Sequence, residues 1–282
     1  MPNALRRSRG NGGGQETTAA VWAAISGMTT GEAWLRRDEP KSPATVAKFQ
    51  DVLRQLERGV PFAYAVGRVG FRTLELAIDE RALIPRPETE GLVELVLAKT
   101  GKRETGNGKR GLVADIGTGC GCIALALAVE GNFEKVIAVE QSPEAAALAR
   151  ENVARISPVT PVEIRIGNLL APLVDKGERY RVIVANPPYL TEAEYLALDP
   201  SVRGFEPREA LVSGIDGLLA TRELLAGAAA LLEPGGLLAF EIDERRGDQV
   251  STLGQEYGWA RVDIHADLFG CPRYALVVPK EA

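Results

Sequence analysis

Short apolar runs recur from residue 112 onward, at 112–116, 135–139, 162–166, 181–185, 236–242, 259–264 and 273–278. Several are continuous and rich in β-branched residues, as in strands covered on both faces. Stretches of helical spacing lie between most of them, the clearest being Ile123 to Ala128. This alternation predicts an α/β fold with a mostly parallel sheet. The last two runs have no convincing helix between them, which predicts an antiparallel final strand.

Upstream the period changes. Val46, Phe49, Val52, Leu53 and Leu56 form a helical stripe that starts behind Ser42-Pro43 and stops at Gly59, a serine N-cap, a proline at the first helical position and a glycine stop. One or two short helices are expected within 17–41, around Val21, Trp22, Ile25, Trp34 and Leu35. Residues 17–60 are thus read as a small helical domain. Phe62 to Ile78 alternates more like strands, with Gly67 and Gly70 near the bend, so 61–80 is read as a linking β-hairpin. Leu92 to Ala98 reads as a helix and Thr100 to Lys109 as a loop into the first central strand. Residues 81–282 are expected to form the main domain. The glycine- and arginine-rich start, residues 1–16, lacks apolar periodicity and reads as a disordered tail.

The run Val182-Ile183-Val184-Ala185 ends abruptly in Asn186-Pro187-Pro188-Tyr189. Neither proline can donate to a strand ladder, so the turn is stiff. It holds one amide and one aromatic ring at the carboxyl end of a strand, where ligands bind in open α/β sheets. The Asn186 side-chain oxygen and the Pro187 carbonyl can accept both hydrogens of a planar NH2 group, and Tyr189 offers a face to stack on it. The target is a carboxamide or the exocyclic amine of a base.

A second turn follows the run at 112–116. Asp115, Gly117, Thr118, Gly119, Cys120 and Gly121 give the spacing G-x-G-x-G between a strand and an apolar helix. A dinucleotide fingerprint needs G-x-G-x-x-G, and Cys122 stands at that last position. Glu140 ends the next apolar run, where a carboxylate can accept from both ribose hydroxyls. A glycine-rich loop and a ribose carboxylate without a phosphate clamp fit S-adenosylmethionine.

With these turns the chain resembles a class I S-adenosylmethionine-dependent methyltransferase. It resembles more narrowly the protein-(glutamine-N5) methyltransferases that modify peptide chain release factors. The narrower likeness rests on Ile84-Pro85-Arg86-Pro87-Glu88-Thr89-Glu90, the Asp115 to Gly121 loop and Asn186-Pro187-Pro188-Tyr189. It rests also on Phe205-Glu206-Pro207-Arg208 with Ala210-Leu211 and Gly214-Ile215-Asp216-Gly217. The resemblance implies a Rossmann-like, mostly parallel seven-stranded sheet and methyl transfer from S-adenosylmethionine to the side-chain amide nitrogen of the Gly-Gly-Gln glutamine in class 1 release factors. It implies Asn186, Pro187 and Tyr189 as catalytic residues, with Pro188 beside them on the substrate. Asp115, Gly117, Thr118, Gly119, Cys120, Gly121, Glu140, Asn168, Leu169 and Asn186 would face the cofactor. Three positions depart from the family pattern. Asn168-Leu169 stands where an acidic and then an aromatic residue are usual, and Asp243 where glycine is usual. Ribosomal protein L3 as substrate, or an adenine or guanine amino group in nucleic acid, remain as alternatives.

Composition narrows the partners. The chain has 282 residues, of which 45% are hydrophobic, and no apolar run of membrane-spanning length. A net charge of −5 lacks the basic footprint of phosphate binders, which favours a protein substrate over nucleic acid. Three cysteines and one histidine are too few ligands for a metal reading. No metal, no membrane, a monomer and a cytoplasmic location are expected.

Overall fold

The computed structural model describes residues 13–100 and 111–280, in two compact units that divide between Gly67 and Arg68. Most of the tail expected over 1–16 and the loop expected up to Lys109 lie outside the described residues. The helix α1 already begins at Gly13.

The first unit is helical: α1 (Gly13–Ser26), α2 (Thr30–Leu35), α3 (Pro43–Glu57) and α4 (Phe62–Val66). Ser42 caps α3, its Oγ accepting from Thr45 N at 3.1 Å, a bond typically worth about 1 kcal/mol. Val21, Val52, Ala65 and Val66 are buried together, and Trp22 stacks on Phe49 with centroids 4.3 Å apart. Phe62 to Val66, expected as strand, is helix. Its short apolar run has no alternation strong enough to oppose helix, and Pro61 at the N-cap and Gly67 at the left-handed C-cap bracket one turn.

The second unit opens with a shorter hairpin, β1 (Arg68–Phe71) and β2 (Leu74–Ala77). Its bend falls at Arg72-Thr73 and not at the glycines, because Arg72 takes φ 52° and is held there by ions. Its guanidinium donates to Glu130 and Glu94, and its backbone N–H to Glu90. Then follow α5 (Pro87–Thr100), β3 (Leu112–Ile116), α6 (Cys122–Glu130), β4 (Lys135–Glu140), α7 (Pro143–Ile156), β5 (Val162–Ile166), β6 (Tyr180–Ala185), α8 (Glu192–Leu196), α9 (Pro200–Arg203), α10 (Leu219–Gly227), β7 (Leu232–Glu241), α11 (Gly247–Glu256), β8 (Arg261–Ala266) and β9 (Pro272–Val278).

All seven strands expected from the apolar runs form one sheet, in the order β5-β4-β3-β6-β7-β9-β8. The first five are parallel, and β9 lies antiparallel between β7 and β8. The fold class is therefore as expected. The central strands β3, β4 and β6 are almost wholly buried, which is why their sequences are continuous apolar runs. The chain leaves β3 for β4 on one side and returns to β6 on the other. That reversal opens a crevice at the carboxyl ends of β3 and β6. Among the described residues no helix is long and apolar enough to cross a membrane.

Candidate active site

Register brings the two turns read in the sequence side by side. Ile116 pairs with Ala185 at the last rung of β3 and β6, so Gly117 and Asn186 leave adjacent strands together. A cavity of about 690 Å³ opens there. Gly117, Thr118, Gly119, Cys120, Glu140, Asn168, Leu169, Asn186, Pro187 and Pro188 all line it.

The glycine loop is shaped by backbone demands. Gly117, Gly119 and Gly121 have φ of 71°, 57° and 88°, a left-handed region that costs other residues roughly 1–2 kcal/mol each. Gly117 and Thr118 donate their N–H groups to the Val139 carbonyl at 2.9 and 3.0 Å, which binds the loop to the end of β4. Gly121 is the N-cap of α6 and does not line the cavity. Asp115 lies beneath the loop, wholly buried. Its Oδ2 accepts from Thr118 Oγ1 at 2.5 Å and Ala124 N at 3.0 Å, while Oδ1 has no partner. Burial first, and the nearby Glu140 charge, push its pKa up to about 7 against the pull of those two bonds. The Cys122 thiol is pushed well up, first by its bond with Cys120 and then by burial, which favours its protonated form.

Glu140 is only 7% exposed yet lines the cavity. Its Oε2 accepts from Gly119 N at 2.8 Å and its Oε1 from Ser142 N at 3.0 Å. Each oxygen keeps a further lone pair for a ligand hydroxyl. Gly167 N donates to the Glu140 carbonyl at 2.9 Å, bringing Asn168 and Leu169 to the same wall. Leu169 takes φ 42° and packs on the main core.

Tyr189, like Asp115 and Gly121, is a predicted residue outside the lining of the main cavity. It lines a small side recess that it shares with Asn186, Pro187 and Arg86, and not the main cavity. Its hydroxyl donates to Glu241 Oε1 at 3.3 Å. Burial and the Glu241 charge raise its pKa, so the phenol stays protonated. Beyond the turn, Gly217 fits because a Cβ there would meet the Tyr189 carbonyl oxygen at 2.4 Å.

Residues given no role in the sequence reading carry much of the geometry. Asn186 Nδ2 donates to Thr89 Oγ1 at 3.0 Å, and Thr89 Oγ1 donates to Glu241 Oε2 at 2.8 Å. Glu241 is 2% exposed, and burial pushes its pKa up to about 7. Arg86 Nη2 donates to Glu206 Oε1 at 2.6 Å and Ile84 N to Glu206 Oε2 at 3.1 Å, so two of the quoted sequence segments are joined by one buried carboxylate. Asp243 pairs with Arg245 at 2.5 Å and Arg246 at 2.9 Å. Arg246 also holds Glu194 at 2.7 Å and donates to the Asp216 carbonyl at 3.0 Å. The unusual aspartate thus belongs to an ion cluster that ties the segment after the Asn-Pro-Pro-Tyr turn to the start of α11.

The model of the Methyltransferase small domain family matches residues 94–198. The release factor glutamine methyltransferase of Xylella fastidiosa (strain Temecula1) is 41% identical over 238 residues, covering 84% of this chain and 83% of that protein. That of Moorella thermoacetica is 38% identical over 247 residues, covering 87% and 84%. Among solved structures, a methyltransferase from Pyrococcus furiosus superposes with a TM-score of 0.53 at 20% identity, covering 82% of this chain and 98% of the other. That likeness is one of fold.

Proposed function

This chain belongs to the release factor glutamine methyltransferase family, and from that premise we propose that it methylates the side-chain amide nitrogen of the Gly-Gly-Gln glutamine in a class 1 release factor. S-adenosylmethionine is the proposed methyl donor; when bound it supplies a methyl group already activated on a sulfonium. The observation that carries the reading is the placement of Asn186 beside the glycine loop, in one cavity with Glu140.

The donor set fits such a cofactor. Glu140 accepts from the ribose hydroxyls through its spare lone pairs. The backbone of Gly117 to Cys120 accommodates the methionine part, and Gly121 completes the turn as the N-cap of α6. Asp115 lies beneath that loop, outside the cavity lining, and holds it in shape through Thr118 Oγ1 and Ala124 N. Asn168 accepts from the adenine amine, and Leu169 gives the ring an apolar face.

The chemical difficulty is the nucleophile, since an amide nitrogen shares its lone pair with its carbonyl. Asn186 Oδ1 and the Pro187 carbonyl accept its two N–H bonds and aim the nitrogen; in favourable systems such alignment lowers a barrier by about 7–11 kcal/mol. Positive charge grows on that nitrogen in the transition state, and the two oxygens stabilise it without a formal base. The methylated nitrogen, now acidic, afterwards passes its proton to solvent water, which restores a neutral amide. Pro187 and Pro188 keep the turn rigid, and Tyr189 walls the recess beside Asn186. A monomer acting in the cytoplasm is the proposed working form.

Mass spectrometry of the release factor, isolated from cells with and without this enzyme, tests the reading. A single methyl on the Gly-Gly-Gln glutamine only when the enzyme is present is expected. An unmodified glutamine in both samples refutes it and turns attention to ribosomal protein L3.

A further inference from the structure

Both ends of the Asn-Pro-Pro-Tyr turn converge on one buried carboxylate. Glu241 takes the Tyr189 hydroxyl on Oε1 at 3.3 Å and the Thr89 hydroxyl on Oε2 at 2.8 Å, and Thr89 in turn takes Asn186 Nδ2 at 3.0 Å. Thr89 is 1% exposed and Glu241 2%. Thr89 sits in the first turn of α5, Asn186 follows β6, and Glu241 ends β7, the sheet neighbour of β6.

The chain of bonds has a direction. When Glu241 is ionised its carboxylate can only accept. Thr89 must therefore spend its one hydrogen on Glu241, which leaves its oxygen as an acceptor. The Asn186 group facing Thr89 must then be the NH2, and the amide oxygen is turned the other way. A carboxamide is nearly symmetric in shape, so packing alone does not choose between its two orientations. The reversed amide would set an N–H against the N–H of the substrate.

We propose that Thr89 and Glu241 are positioning residues that fix the orientation of the Asn186 amide, so that Oδ1 and not Nδ2 meets the substrate nitrogen. The inference rests on the reading of Asn186 as the acceptor of a glutamine NH2. It separates the work of the turn into two parts: the prolines set where the amide is, and the Thr89–Glu241 pair sets which way round it is.

The test uses the full chain and a purified release factor. Thr89→Val keeps the shape and removes the hydroxyl; Thr89→Ser restores the hydroxyl. We expect kcat of Thr89→Val to fall about tenfold or more, the range of one lost charge-assisted bond, with cofactor affinity by calorimetry within about twofold of wild type. Thr89→Ser should recover to within about threefold of wild type. A second readout separates orientation from mere packing. Release factor carrying glutamate in place of the target glutamine is titrated as a competitor. Wild type should favour glutamine over glutamate by about tenfold or more, and Thr89→Val should lose most of that preference, because an unfixed amide can also present its NH2. If Thr89→Val fails to fold, the same discrimination is measured in Glu241→Gln, whose amide no longer imposes a direction.

An active wild type with a Thr89→Val variant of unchanged kcat and unchanged discrimination overturns the positioning role alone. Thr89→Ser as impaired as Thr89→Val overturns it too, since the methyl and not the hydroxyl would then matter. A wild-type enzyme that transfers no methyl to the release factor overturns the underlying reading, and the positioning role with it.

Discussion

Glu241→Gln should make the protein more stable at alkaline pH. Burial raises the Glu241 pKa from 4.5 to about 7, against the opposing pull of Thr89, Arg273 and Tyr189. The folded state therefore holds this proton more tightly than the unfolded chain. Below pH 4.5 both states are protonated and the group is neutral toward stability. As pH rises toward 7 the unfolded chain has released the proton while the folded one has not, so stability falls with pH; above about 7 the penalty is complete. At about 1.4 kcal/mol per pKa unit the full penalty is about 3 kcal/mol. Glutamine has the same shape, can accept from Thr89 and carries no charge, so the variant escapes the penalty. At roughly 2–4 °C per kcal/mol for a chain of this size, its melting temperature at pH 8 should exceed wild type by about 6–12 °C. At pH 5 most of the difference should vanish. Thermal and urea unfolding of both proteins at the two pH values is the assay. A variant less stable than wild type at pH 8, or a difference that does not change with pH, refutes the claim that Glu241 is held ionised at a cost.

The other expectations concern activity. Asn186→Ala removes one of two acceptors from the proposed nucleophile; kcat should fall about 10²–10³-fold while calorimetric cofactor affinity and melting temperature stay near wild type, and an undiminished kcat counts against its role. Glu140→Ala loses the loop bond to Gly119 together with the proposed ribose contacts, so cofactor Kd should rise about tenfold to a hundredfold, and an unchanged Kd contradicts the assignment. The substrate amide does not titrate near neutrality, so an acid limb in kcat/KM should come from the protein. Glu241, faced by Thr89 and Glu88 of α5, Tyr189 after β6 and Arg273 of β9, should lower kcat/KM as it is protonated below about pH 7. Glu241→Gln should lack that limb; a limb that persists there belongs to another group, Asp115 being the other buried carboxyl raised to about 7.

The sheet was legible because its strands are buried on both faces and announce themselves as apolar runs. The hairpin was less so. Its short strands are fixed by tertiary ions on Arg72 and by Asn152, which bonds both the N–H and the carbonyl of Ala77, and no local pattern records such partners. At the site, Asn186 and the glycine loop stood out because their backbone chemistry is local. Glu241 was missed although it shares a signature with Asp115 and Glu140: a carboxylate at or near the carboxyl end of an apolar central strand. Thr89 lies in the Ile84–Glu90 segment that carried the resemblance, but its role was not local, since it comes from Asn186 and Glu241, residues 97 and 152 positions away. Tyr189 was placed against the substrate by sequence proximity, but its hydroxyl is bonded to Glu241 and its ring walls the side recess.

The central claim is methyl transfer to a release factor glutamine, tested most directly with methyl-labelled S-adenosylmethionine, the purified enzyme and a purified class 1 release factor. A second factor with the Gly-Gly-Gln glutamine replaced by alanine is the control. The account requires label on the unaltered factor and none on the control. Label on both, or on neither while the enzyme still binds the cofactor, contradicts it.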